Sequence, residues 1–318
     1  MQPRRSPPTL RAAPSGEPAL DAAAPSVTVT PVRFPALDGY PLGGFLHVPS
    51  DARPAQAVVF ATGGGVRAEV YKHFLGYLAG EGLAVLAFDY RGIGESRPAS
   101  LRGFTAGLED WAEYDAGGAI AWMAARYPDI SLTGMGHSIG ALLIGAAEPA
   151  TRLEQLVLIA PHIGFHADYG WAVRWLVRFG FRLAGAPLRW AFGYFPASAM
   201  RLGEDLPNRV AQQWATRSLG PAHRADTGPA AQREERALER IASFRKPALV
   251  LSISDDTWAT DVGVRRFLHL YRSLLAVRLV IEPRDDFRIG HFGFFRRRFS
   301  GSYWPIPVRF MNAGHSPA

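Results

Sequence analysis

The sequence predicts an α/β fold built on a mostly parallel sheet, and three observations carry that prediction. Short apolar runs recur along the chain, among them Val58–Ala61, Leu83–Phe88 and Leu156–Ala160. Helical patterns separate them, as at Glu69–Leu78 and Ile139–Ala147. The runs are near-continuously apolar, not alternating, which is what strands buried on both faces require. A TIM barrel would need eight evenly spaced strand–helix units, and the interval 161–246 breaks that rhythm.

In chain order, residues 1–27 are rich in proline and alanine and read as a disordered tail. Residues 28–162 form the first part of the core. Within it, residues 29–48 read as two strands around the turn former Asp38-Gly39. The run Val58–Ala61 stops at three glycines, a helix follows from Glu69, and Leu83–Phe88 leads into the loop YRGIGESRP. A helix is expected over 106–127, a strand at ISLTGMG, a helix at IGALLIGAA and a strand at Leu156–Ala160. PALVLSI and AVRLVIEP supply the remaining strands in 241–318, the second part of the core.

Residues 163–240 read as an inserted helical cap. Arg174, Arg178 and Arg182 recur every four residues, with Trp171, Trp175, Phe179 and Phe181 on neighbouring faces. An ordinary amphipathic helix packed on the core is one reading. A lid that covers an apolar pocket or touches lipid is the other.

Composition removes several function classes. There are no cysteines, which excludes a disulfide scaffold, a zinc ribbon, an iron–sulfur centre and a cysteine nucleophile. Histidines and carboxylates show no metal-site spacing, so neither a metal nor another cofactor is expected. Net charge is +7, from 35 Lys and Arg against 28 Asp and Glu, but no nucleic-acid-binding signature accompanies it. No apolar run is long enough for a transmembrane span. Arg4 and Arg5 have no apolar run behind them, as a secretory signal needs, so a cytoplasmic setting is expected.

The chemistry is expected at Gly136-His137-Ser138-Ile139-Gly140, a G-x-S-x-G pattern at a strand-to-helix junction. Gly136 and Gly140 leave room for strand and helix to converge, and the turn lifts the Ser138 hydroxyl out of the sheet. A structural Gly-Ser turn is the alternative. An activated serine needs a base, and the base an orienting acid. His291, after Gly290 and ahead of the aromatic cluster Phe292-Gly293-Phe294-Phe295, is the candidate base, with His162 and His166 as competitors or pocket residues. Asp256, followed by Trp258, is the candidate acid; Asp255 and Asp286 are alternatives. An oxyanion hole needs two backbone donors. Ile139 N–H is one, and the Thr62–Gly65 loop supplies the other, at Gly64 or else Gly65. His137 is expected to be buried and to point away from the nucleophile.

The segments ATGGG, FDYRGIGESRP, GMGHSIGA, SISDDTWAT and IGHFGFF, in that order, resemble the α/β-hydrolase superfamily over about residues 29–300. Within it, FDYRGIGESRP resembles the loop after the fourth strand of the serine-aminopeptidase-like branch of esterases and lysophospholipases, and SDD…W with GHFGFFR resembles a group of bacterial predicted hydrolases. One departure is ATGGG, where many relatives carry His-Gly. The resemblance implies a Ser-Asp-His triad of Ser138, Asp256 and His291, with an acyl-enzyme intermediate. These motifs do not specify the substrate; the aromatic, apolar cap with arginines along one side would suit a small-molecule carboxylic ester with an apolar, lipid-like acyl group and an anionic or polar head. Proline-iminopeptidase-like aminopeptidase and thioesterase activities are alternatives on the same scaffold. A non-catalytic interaction protein is the alternative of another class. Peripheral membrane contact through the cap is the one membrane association left open.

Overall fold

A strand with no polar interruption has no face to turn to water, and such strands form the centre of one nine-stranded sheet. The computed structural model describes residues 9–12, 26–177, 185–217, 228–283 and 287–313. Its strands are β1 (Thr9–Ala12), β2 (Val27–Pro35), β3 (Pro41–Pro49), β4 (Gln56–Ala61), β5 (Leu83–Phe88), β6 (Leu132–His137) and β7 (Gln155–Ile159), then β8 (Tyr194–Phe195), β9 (Leu206–Pro207), β10 (Pro247–Ile253) and β11 (Leu275–Ile281). The main sheet has the order β1-β11-β10-β7-β6-β4-β5-β3-β2. All pairings are parallel except those of β3 with β2 and with β5. β4, β5, β6 and β7 are buried along their whole length. β8 and β9 form a separate antiparallel pair.

The β2–β3 hairpin turns at Asp38-Gly39, where Gly39 takes φ 84°, a left-handed conformation open to glycine at little cost. Beyond the hairpin the chain lays β5 on one side of β4 and then crosses to place β6 on the other. That reversal makes a topological switch point at the C-terminal ends of β4 and β6, where open α/β sheets hold their ligands.

The helices are α1 (Lys72–Gly80), α2 (Leu108–Asp110), α3 (Gly117–Arg126), α4 (Gly140–Ala146), α5 (Trp171–Trp175), α6 (Gly185–Phe192), α7 (Asn208–Arg217), α8 (Pro229–Ser243), α9 (Asp261–Leu270), α10 (Gly290–Gly293) and α11 (Pro305–Ala313). A wider π-type stretch, Trp111–Ala116, joins α2 to α3, so the helix expected over 106–127 is one run with an irregular middle. α1 packs on β3 and β5, α3 on β2, β4 and β5, and α4 on β4, β6 and β7. Every residue of α4 is buried, which explains its lack of any polar side chain.

Between β7 and β10, α7 packs on α6 and on the β8–β9 pair. The expected cap boundary at residue 240 falls inside α8. That helix buries Ala237 and Ile241 against the core, and Arg240 Nε–H donates to Ala146 O at 2.9 Å. Of the arginine stripe, Arg178 and Arg182 lie outside the described residues, as do Phe179 and Phe181.

The segment expected to be a disordered tail differs at Thr9–Ala12, which forms β1 along the outer edge of β11, from Thr9 opposite Arg278 to Ala12 opposite Ile281. An open strand edge offers a row of unpaired N–H and C=O groups, and this pairing is non-local, so local composition does not announce it. Among the described residues, no helix is long and apolar enough to cross a membrane.

Candidate active site

Ser138 lies between the end of β6 and the start of α4 with φ 59°, a left-handed conformation that few non-glycine residues adopt. Its N–H is held by Ile159 O at 3.0 Å. A Cβ on Gly136 would stand 2.6 Å from Ala141 Cα, and one on Gly140 would stand 2.3 Å from Thr62 O. Neither position has room for a side chain, so the two glycines are the steric condition for the elbow.

Three strand ends bring the other groups to the serine. Asp256 follows β10. Its Oδ1 accepts from Trp258 N–H at 2.8 Å and Ala259 N–H at 3.0 Å, and its Oδ2 meets His291 Nδ1 at 2.7 Å. Burial pushes this carboxyl up, but the His291 ring and the three hydrogen bonds outweigh it and hold the carboxyl below its ordinary value. A carboxylate can only accept, so His291 Nδ1 carries the proton and Nε2 of the neutral ring is left to accept. That Nε2 lies 2.9 Å from Ser138 Oγ. Asp255 turns the other way and accepts from Ile289 N–H at 2.9 Å and Gly290 N–H at 2.8 Å, fixing the loop that carries His291. Gly290 has φ 58°. Asp286 lies outside the described residues.

His137 is fully buried and far from free. Its Nε2–H donates to His291 O at 3.0 Å, which leaves Nδ1 to accept from Tyr71 OH at 2.8 Å. Tyr71 OH in turn accepts from Gly63 N–H at 3.1 Å. Burial keeps the His137 ring neutral, well below its ordinary pKa. One buried chain of hydrogen bonds therefore ties the glycine loop after β4 to the backbone of His291.

His162, after β7, does more than line a wall. Its Nε2 lies 2.9 Å from Ser138 Oγ. Among the described residues the hydrogen-bond partners of Oγ are thus two histidines. His166 lies in the short turn His166–Asp168, its ring against Phe165 at 5.2 Å. The half-buried Trp258 stands 6.2 Å from His291 and 5.3 Å from Tyr169, ring centre to ring centre.

Gly64 and Ile139 line one narrow recess with Leu108, Trp111, Ile163 and Trp214. A Cβ on Gly64 would meet Ile139 Cγ2 at 3.1 Å and the Trp214 ring at 3.2 Å, so α7 closes directly over this loop. Gly65, at φ 71°, instead faces Leu206. A wider groove of about 760 Å³ opens beside Gly65 and Phe292, bordered by Arg67, Lys72, Arg201 and Leu202. Glu69 and Glu204 pair with Lys72 and Arg67 there. Among the described residues, no group of three or more acidic or histidine side chains could hold a metal ion.

Tyr71 and Trp214 were not legible in the sequence, whereas His162, read there as a competing base or pocket residue, does reach Ser138 Oγ. Tyr71 sits in no motif and reaches the site through tertiary packing. The amphipathic pattern of LPNRVAQQWATR was the one available signal for Trp214.

Residues 52–273 match the model of the family described as serine aminopeptidase, S33. No curated protein matches the sequence significantly. Among solved structures, an esterase of Pyrococcus furiosus superposes with a TM-score of 0.59 at 18% identity, over 90% of this chain and 91% of that one. An esterase of Pyrobaculum calidifontis gives 0.56 at 19% identity, over 91% and 86%. An acylaminoacyl peptidase of Pyrococcus horikoshii gives 0.52 at 15% identity, over 90% of this chain and 41% of that one. Likeness at these identities carries the fold, and the family match carries the rest: the chain belongs to the serine aminopeptidase S33 family of α/β-hydrolases.

Proposed function

We propose that the protein is a serine hydrolase that cleaves carboxylic esters with an apolar acyl group, using Ser138 as nucleophile, His291 as base and Asp256 as the orienting acid. The observation that carries this reading is the unbroken line from Asp256 Oδ2 to His291 Nδ1 at 2.7 Å and from His291 Nε2 to Ser138 Oγ at 2.9 Å. The left-handed backbone at Ser138 supports it, because strain of this kind persists where the surroundings enforce it and clusters at reactive residues.

In this mechanism Ser138 Oγ attacks the ester carbonyl carbon while His291 Nε2 takes the hydroxyl proton. The carbonyl oxygen becomes an oxyanion, received by the N–H groups of Gly64 and Ile139, whose residues line the same recess. The intermediate collapses, the alcohol leaves with the proton from His291, and Oγ keeps the acyl group. Water then attacks the acyl carbon, His291 takes its proton, and the proton passes to Oγ as the acid departs.

The apolar lining of the recess supports an apolar acyl group, and the partly cationic groove beside it suits a polar or anionic head. An aminopeptidase needs a carboxylate free to hold the substrate's amino group. Glu204 is engaged by Arg67 and Arg97, and Asp205 by Arg97 and Ser198, which favours the ester reading.

A fluorophosphonate probe tests the proposal. Oγ would displace fluoride from phosphorus, and mass spectrometry should find the label on Ser138 in the native chain and nowhere in Ser138→Ala. A panel of 4-nitrophenyl esters of increasing acyl length, with an aminoacyl arylamide and an acyl thioester beside it, then ranks the substrate classes. No label on a demonstrably folded protein would favour the non-catalytic alternative.

A further inference from the structure

The buried histidine that the mechanism above leaves unused lies on the nucleophile itself. His162 Nε2 is 2.9 Å from Ser138 Oγ, and His162 Nδ1 accepts the Gly164 N–H at 3.0 Å. An N–H group can only donate, so Nδ1 bears a lone pair and the ring proton sits on Nε2. The ring is 2% exposed, and burial together with the neighbouring His291 drives its pKa down to about 3, which keeps it neutral. His162 therefore cannot take the proton of Ser138, and it donates one hydrogen bond to Oγ.

The backbone is built to hold it there. Ala160, where β7 ends, has φ 46°, one of three non-glycine residues with positive φ among those described, and Ser138 is another. Its N–H is fixed to Leu251 O at 2.8 Å. This turn sends Pro161 and His162 back over the serine, and Gly164 at φ 82° returns its N–H to the ring. The Tyr169 ring stands against the His162 ring, centres 5.7 Å apart and near-perpendicular.

We propose that His162 is a second catalytic histidine: a fixed N–H donor to Ser138 Oγ that assists Oγ as a leaving group when the acyl-enzyme breaks down. The proposal rests on the serine-hydrolase reading above. A hydroxyl oxygen has one proton and two lone pairs. With His162 on one lone pair, the proton of Oγ is directed to His291 and the second lone pair faces the substrate. During acylation Oγ gives electron density to the acyl carbon, so the bond from His162 weakens. During deacylation the sequence reverses: water adds to the acyl carbon, the C–Oγ bond breaks, and its electron pair returns to Oγ. The bond from His162 then strengthens while His291 delivers the proton to Oγ. No proton leaves His162 at any step.

The two half-reactions should respond differently to its loss. In His162→Leu, hydrolysis of a 4-nitrophenyl ester should show a burst of about one equivalent of nitrophenol and a slow steady state. The turnover number kcat should fall by about 10- to 100-fold, the range between losing an ordinary hydrogen bond and losing an oxyanion donor. KM should fall with it, and kcat/KM, which reports acylation, should stay within a few-fold of the native value. In His162→Gln, whose Nε2 can stand near the lost ring nitrogen, much of kcat should return. Fluorophosphonate labelling of Ser138 in both variants at near-native rates would show the elbow intact. A parallel fall of kcat and kcat/KM without a burst, loss of labelling in His162→Leu, or no kinetic change would overturn the proposal. Absence of labelling in the native protein would instead overturn the serine-hydrolase reading beneath it.

Discussion

At the scale of single residues, the two adjacent aspartates divide one task. Asp256 touches His291, and Asp255 holds the loop that carries it. Asn in place of Asp256 would keep its Oδ1 on the N–H groups of Trp258 and Ala259 and turn its NH₂ toward His291 Nδ1. That amide donates where the carboxylate accepted, so the ring proton moves to Nε2 and Ser138 loses its acceptor. Asp256→Asn should therefore keep the fold and lower kcat by about 10³- to 10⁴-fold. Asp255→Asn keeps one acceptor oxygen for Ile289 and Gly290 and leaves the tautomer alone. Its effect should be chiefly a stability loss of about 1–2 kcal/mol with a far smaller kcat change. Steady-state kinetics on a 4-nitrophenyl ester beside thermal unfolding separates the two variants. The reverse ranking in kcat would assign the acid to Asp255.

At the scale of elements, the loop after β5 shows how a motif read as a family signature acts physically. Arg91 forks onto both oxygens of Asp38 in the β2–β3 turn, each at 2.7 Å, and its Nε reaches Asp115 Oδ1 in the π-type stretch at 2.7 Å. Its N–H also binds Asp115 Oδ2, and its carbonyl accepts Trp111 Nε1–H at 3.0 Å. One side chain thus joins a hairpin, a loop and a helix, and Asp115 has no exposed surface at all. Removing the guanidinium strands a buried carboxylate, so Arg91→Ala should lose about 3–5 kcal/mol of stability. Arg91→Lys should recover only part of it, because an ammonium cannot fork onto Asp38 and reach Asp115 together. Urea unfolding midpoints measure both, and an Arg91→Ala loss below about 1 kcal/mol would contradict this account of a buried pair.

For the whole molecule, what was legible in the sequence is what is local. The central strands showed because burial on both faces leaves nothing but apolar residues in Val58–Ala61 and Leu83–Phe88. The elbow showed because Gly136 and Gly140 are forced by contact within a few residues and across to Thr62. Tyr71, the edge strand Thr9–Ala12 and the turn at Ala160 that carries His162 back over Ser138 depend on partners far away in the chain, and composition holds no trace of them. The same long-range burial leaves a mark on acid stability through His47 on β3. That ring is 3% exposed, its Nδ1 has no hydrogen-bond partner among the described residues, and burial lowers its pKa to about 4. Above about pH 6.5 it is neutral folded and unfolded, so its contribution to stability is complete. As pH falls, the unfolded chain binds a proton that the folded chain refuses until about pH 4, and stability is lost across that window. His137 and His162 act in the same direction, whereas the raised carboxyls of Asp89 and Asp115 act in the opposite one. All four are common to the native protein and to His47→Leu, so comparing the two isolates His47. Between pH 7.5 and 4.5 the variant should lose about 2–3 kcal/mol less than the native protein in urea unfolding. Parallel stability curves would mean that His47 meets a proton acceptor or water in the folded state and titrates there as it does in the open chain.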